Sequence, residues 1–221
     1  MLITLVIIGV VAALTIPNLM QKYTEQTTVK KVQKFYSTLA NAYSLAIREN
    51  GQPNEWGLTD SRITNAEKIY ELLFKPYFKI AKDCGVYNRG NCFPQYTTWL
   101  DGTEASKEND SGNYKVTLND GSSVKWYKEG NTYIIVMYDV NGPKSPNRWG
   151  EDIFMFGMRQ GLQRPFAYGE VGNHTDFNTY CNKKSTAEKP GRGCAGWVIY
   201  KGNMDYLHCD DLSWTGKDKC K

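Results

Sequence analysis

At 221 residues the chain has room for one domain with a substantial core, or for one domain carried on an anchor. Its 27 Lys and Arg against 23 Asp and Glu leave a net charge of +4, scattered along the chain, which makes no firm case for nucleic acid or acidic lipid as a partner. The mean hydropathy is −0.54 although the first twenty residues are strongly apolar, so the chain has two solvents, lipid for its start and water for the rest.

From Met1 to Gln21 no side chain ionises, and Leu, Ile, Val and Ala dominate. About 20 such residues in a helix just cross a bilayer core. A cleavable signal peptide would show a basic start, which is absent, and a small-residue cleavage site, for which only Val10-x-Ala12 or Val11-x-Ala13 is available. After Lys22 the apolar residues recur at Val29, Val32, Tyr36, Leu39, Tyr43 and Ala46, one stripe of a continuing helix. Glu25, Lys30, Lys31, Lys34 and Arg48 fall off that stripe, and Gly51 with Pro53 supplies a stop. One helix of about fifty residues, some 75 Å long, is therefore expected, with a kink near Pro17 where a backbone donor is lost.

The run from Leu2 to Leu19 (LITLVIIGVVAALTIPNL) resembles the N-terminal helix of type IV pilins and type II secretion pseudopilins, with Gly9, the pair Ala12-Ala13 and Pro17 where that motif has them. The resemblance is specific over about residues 1–50 and loose beyond. It implies an α+β subunit whose N-terminal helix, apolar in its first half and amphipathic in its second, packs on an antiparallel sheet. It further implies a leader, a cleavage-site Gly, an N-methylated Phe and a helix Glu upstream of Met1, none of which maps onto this chain. Residues 1–23 would be the transmembrane and assembly half, with Leu2, Val6, Gly9, Ala12, Ala13 and Pro17 meeting lipid or sister helices, and 24–221 the exported head. The implied partners are copies of the chain, related pilin-like subunits, the bacterial inner membrane and an assembly machinery including a prepilin peptidase. The head would lie in the periplasm or, within a filament, at the cell surface. The cluster Lys22, Lys30, Lys31 and Lys34 favours a cytoplasmic side by itself; a basic leader would outweigh it. The alternative is a singly anchored binding or adhesion module using aromatic side chains such as Trp126, Trp149, Trp197 and Trp214.

Beyond the long helix, Ile63, Ala66, Ile69, Tyr70, Leu72, Leu73 and Phe74 predict a second helix over 62–80, ended near Pro76. Six cysteines without a Cys-x-x-Cys pair favour disulfides and an oxidising compartment over zinc. Fifteen pairings are open, of which Cys84–Cys92, Cys181–Cys194 and Cys209–Cys220 are the shortest closures in sequence. Residues 99–112 read as a loop, with turn signals at Asp101-Gly102 and Asp110-Ser111-Gly112. The period then changes to two: Tyr114–Leu118 and Ser123–Tyr127 flank Asn119-Asp120-Gly121 as a hairpin. Thr132–Tyr138 and Asp152–Phe156 read as the next strands. The last sixty residues are irregular and disulfide-rich, with Trp197–Tyr200 as their only strand.

Two groups of residues carry candidate chemistry. Between the last two strands, Asp139, Asn141, Asn147 and Asp152 set hard oxygen ligands in one connection, as calcium requires. The same residue types form turns by bonding their own backbone, which is the reading they favour, and no EF-hand spacing is present. His174 beside Asp176, and His208 beside Asp210 and Asp211, could each orient a base, but neither lies in a ligand or nucleophile pattern. No catalytic motif is present, and the expectation is a structural protein without a cofactor beyond that calcium.

Overall fold

The computed structural model of the chain describes residues 2–105, 112–130, 133–172 and 175–220, with side chains at Val10 and from Ala13 onward. A single helix, α1 (Leu2–Asn50), runs unbroken through Pro17. It ends where expected: Gly51 takes φ +76° and donates its N–H to Ile47 O at 2.9 Å, the left-handed terminus that glycine reaches without a Cβ penalty.

The head begins to cover the helix at Glu25; from Ala13 to Thr24 every side chain is exposed. Beyond that point Val29, Val32, Phe35, Leu39, Ala42, Tyr43 and Ala46 are buried. The stripe is wider than a single alternation of three and four. Phe35 lies inside it, stacked on Tyr138 at 4.0 Å, while Tyr36 is half-buried at its margin and donates its hydroxyl to Pro165 O.

The second helix, α2 (Arg62–Ile69), is capped by Ser61 Oγ accepting from Thr64 N, and continues through a π turn at Tyr70–Phe74. It stops short of 80, because Ile80 already belongs to a strand, β1 (Ile80–Gly85). A separate two-residue pair follows, β2 (Thr97–Thr98) and β3 (Glu104–Ala105), around the Asp101-Gly102 turn. The main sheet adds β4 (Tyr114–Leu118), β5 (Ser123–Glu129), β6 (Tyr133–Asp139), β7 (Ile153–Arg159) and β8 (Phe166–Ala167). Its order is β1-β4-β5-β6-β7-β8, antiparallel throughout. Thr132 and the turn residues Asp110 and Ser111 lie outside the described residues.

Both faces of this sheet are covered, which is why β6 reads as a continuous apolar run and not as an alternation. Ile134, Val136 and Tyr138 point into the core shared with α1, with Trp126, Phe154 and Phe156. Ile135 and Met137 belong to a second cluster with Trp99, Tyr127, Trp149, Met155 and Tyr168 on the opposite face.

In the C-terminal segment Trp197–Tyr200 is helical, within α4 (Ala195–Lys201), after a short α3 (Phe177–Tyr180). A four-residue apolar run does not distinguish strand from helix by period. Here Gly202 at φ +67° ends a helix that buries Ala195, Gly196, Trp197 and Val198 and packs against α1. The three disulfides are Cys84–Cys92, Cys181–Cys194 and Cys209–Cys220. Each closes locally, and two of them staple the C-terminal segment.

Candidate functional site: the loop between β6 and β7

Asp139 is the last residue of β6, and Asp152 immediately precedes β7. The intervening loop folds back on itself: Val140 N donates to Asp152 O at 3.0 Å, while Asn147 N and Arg148 N donate to the two Asp152 carboxylate oxygens at 2.9 and 2.6 Å. Asn141 N donates to Asp139 Oδ1 at 3.1 Å. These are the turn-forming bonds anticipated for Asp and Asn, and they leave a remainder. The amides of Asn141 and Asn147 donate to Ser145 O and Pro143 O, which turns both Oδ1 atoms away from the protein's donors. Asn141 Oδ1, Asn147 Oδ1 and Asp139 Oδ2 are all buried without a hydrogen-bond partner. So is Ser123 Oγ, on the residue paired across the sheet with Asp139.

Both carboxylates are inside the protein, Asp139 fully and Asp152 at 3% exposure. Burial pushes the Asp139 carboxyl up to about 8, with the Asp152 charge adding to it and the N–H donors of Asn141 and Gly142 opposing it. Burial also raises Asp152, to about 6, against its two backbone donors. An unpartnered buried oxygen and a desolvated carboxylate are each costly, and here they are gathered on one loop. A proton on Asp139 relieves part of that cost. A hard cation relieves more, since carboxylate and amide oxygens are the donor set that calcium accepts. Among the described residues no three His, Cys, Asp or Glu side chains group as a metal site; two carboxylates, two amides and a hydroxyl suit calcium and not a transition metal. The residues fit the ion: Asp139, Asn141, Asn147 and Asp152 would hold it, with Ser123 beside them, and it would supply neutralising charge.

The loop is also a junction. Lys31 of α1 donates Nζ to Val140 O at 2.9 Å, and the buried Tyr206 hydroxyl donates to Gly150 O at 2.7 Å. Gly142, at φ +69°, sits so close to the β4–β5 turn that a Cβ there would fall 2.8 Å from Gly121 O. Ser123, Lys31 and Tyr206 carry no local signal and come from a strand, a helix and the C-terminal segment.

The other candidates do not assemble. His174 lies outside the described residues. His208 is not a free loop residue: its Nε2 meets Glu25 Oε1 of α1 at 2.9 Å. Asp210 pairs with Lys184 and Asp211 with Lys217. Asp176 caps α3. The tryptophans proposed for a binding surface are core instead: Trp126, Trp149 and Trp197 are buried, and Trp214 is half-buried with its indole donating to Gly169 O. Of the assembly residues, Ala13 and Pro17 are exposed on α1; the side chains of Leu2, Val6, Gly9 and Ala12 lie outside the described residues.

Fold and loop together define an α+β head, closed by three disulfides and carried on a long N-terminal helix. The chain belongs to a family of unknown function (DUF6613), matched over residues 18–195. No curated protein and no solved structure matches it. Among the described residues no helix is long and apolar enough to cross a membrane; residues 1–9, 11 and 12, which hold most of the apolar run, lie outside the described side chains.

Proposed function

We propose that the chain is a structural subunit of a filament of the type IV pilus or type II secretion pseudopilus kind, anchored in a membrane and polymerised through the first half of α1. One observation carries the reading: from Ala13 to Thr24 α1 stands clear of its own head and holds several large apolar side chains in the open. Leu14 and Leu19 are each 69% exposed, with Val10, Ile16 and Met20 beside them. Soluble monomers rarely leave so many large apolar side chains in water without a partner, and from Ala13 to Thr24 the head covers none of them. Lipid before assembly and sister helices after it are the two environments that fit. The head does no chemistry in this reading; its sheet and disulfides make it rigid enough to transmit force, and the β6–β7 loop, loaded with calcium, locks α1 to the sheet.

The test is assembly itself. Leu14→Asp and Leu19→Asp place a charge on the protruding half of α1 without touching the head. Expected is loss of sedimentable filaments with the melting temperature of the head unchanged. Filaments persisting in both variants would overturn the reading.

A further inference from the structure

On the face of the sheet turned away from α1 lies a groove of about 620 Å³, within the ~300–1,000 Å³ of small-ligand sites. Its floor is built from Tyr127 of β5, Tyr133 and Ile135 of β6, Met155 of β7 and the nearby Tyr168. The charged side chains lining it are Arg62, Lys189 and Arg192 against Glu129 alone.

Two features mark it as built to receive something. Arg192 is held over two indoles, 5.9 Å from the Trp99 ring and 5.8 Å from that of Trp149, with its Nε buried and unpartnered. Asn113, 2% exposed, has its Oδ1 buried and unpartnered. Among the described residues, six buried side-chain atoms lack a partner. Four belong to the β6–β7 loop or the serine beside it, and the other two line this groove. One is a cationic donor and the other a neutral acceptor, so the ligand that completes both carries an anionic oxygen and a hydrogen-bond donor.

We propose that the groove binds a carboxylated saccharide. The Arg192 guanidinium meets the carboxylate, supported by the positive rim of Arg62 and Lys189. Asn113 accepts from a ring hydroxyl, and Tyr133, the half-buried member of the three tyrosines, offers aromatic surface to the apolar side of the sugar, while Arg62 lies 4.5 Å over the ring of the buried Tyr127. A bare phosphate makes no use of an aromatic and aliphatic floor. An extended peptide finds no free backbone here, because β5, β6 and β7 are each paired on both sides and leave nothing for strand addition. The inference does not depend on polymerisation.

Calorimetric titration of the full chain in neutral detergent tests it, with three probes: digalacturonate, its dimethyl ester and a tetraglutamate peptide. Expected is saturable binding of digalacturonate, weakened about tenfold or more by esterification and by Arg192→Gln, the loss of one charge-assisted hydrogen bond. Because Arg192 packs on two tryptophans, the rim variant Lys189→Glu is measured alongside; it leaves the melting temperature unchanged and weakens binding at least threefold. Four results would each overturn the proposal: no binding of digalacturonate at millimolar concentration, equal binding of the ester, parent-like binding by both variants, or tighter binding of the peptide.

Discussion

Asp139 is the most consequential single residue in the head, because its ionisation opposes folding. Its carboxyl is raised from 3.8 to about 8 and that of Asp152 to about 6, in both cases first by burial. Between about pH 4 and pH 8 the folded chain therefore retains protons that the unfolded chain has released, and stability falls as pH rises through that window. Calcium held by the loop would compete with those protons, so its stabilisation would grow through the same window and be fullest at and above pH 8. In chelator the melting temperature should drop from pH 5 to pH 8. Calcium at a hundredfold over its dissociation constant should add about 2.7 kcal/mol at pH 8, roughly 5–10 °C for a chain of this size, and far less at pH 5. Asp139→Asn should flatten both the pH and the calcium response. A melting temperature at pH 8 indifferent to calcium would refute the cation site. The four loop residues are legible in the sequence because Asp and Asn cluster between two strand patterns. Ser123 is not, since only the β5–β6 register sets it opposite Asp139. The tryptophans mislead for a related reason: a large ring in a polar-looking segment carries no mark of which side faces in, and Trp126, Trp149 and Trp197 all face in.

At the scale of elements, the stripe on α1 and the sheet core hold each other. Phe35 stacks on Tyr138 and tilts against Phe78 and Phe156 at 5.9 and 5.5 Å. Phe35→Ala should cost about 3–5 kcal/mol in urea unfolding, whereas Lys30→Ala, on the exposed side of the same helix, should stay within about 0.5 kcal/mol. Equal effects would mean that the second half of α1 is not part of the core. The disulfides should differ in the same way. Cys181 and Cys194 are buried within the main cluster, so the double serine variant loses packing as well as loop closure, on the order of 3 kcal/mol or more. Cys209 and Cys220 are partly exposed and their loss should cost less. The long elements are legible because period and stop signals agree over many residues: α1 with Gly51, the β4–β5 hairpin with Gly121, and β6 and β7 by their apolar runs. The two-residue strands β2, β3 and β8 are too short to leave a pattern, and β1 carries little apolar alternation, with an exposed run at Ala81–Asp83. At Trp197–Val198 the side chains favour a strand, and helix α4 wins because both faces of that turn are needed in the core.

At the scale of the whole molecule, one helix serves two environments, and this division can be measured along a single element. A water-exposed helix gains little from propensity alone, and its stability comes from packing. From Val29 to Ala46 that packing is supplied by the sheet, α4 and the β6–β7 loop through Lys31. From Ala13 to Thr24 the head supplies none. Amide hydrogen exchange on dispersed subunits should therefore show protection approaching that of the global fold over 29–46 and far weaker protection over 13–24. If the subunit works as proposed, assembly should reverse the second result: sister helices bury the 13–24 segment, and its exchange should slow by orders of magnitude while that of 29–46 barely changes. Micelles alone would also protect the segment, so the comparison that decides is between filaments and detergent-free monomers at the same pH. Protection confined to 29–46 in both states would mean that the protruding half never finds a protein partner, and would leave the chain as a head carried singly on its helix.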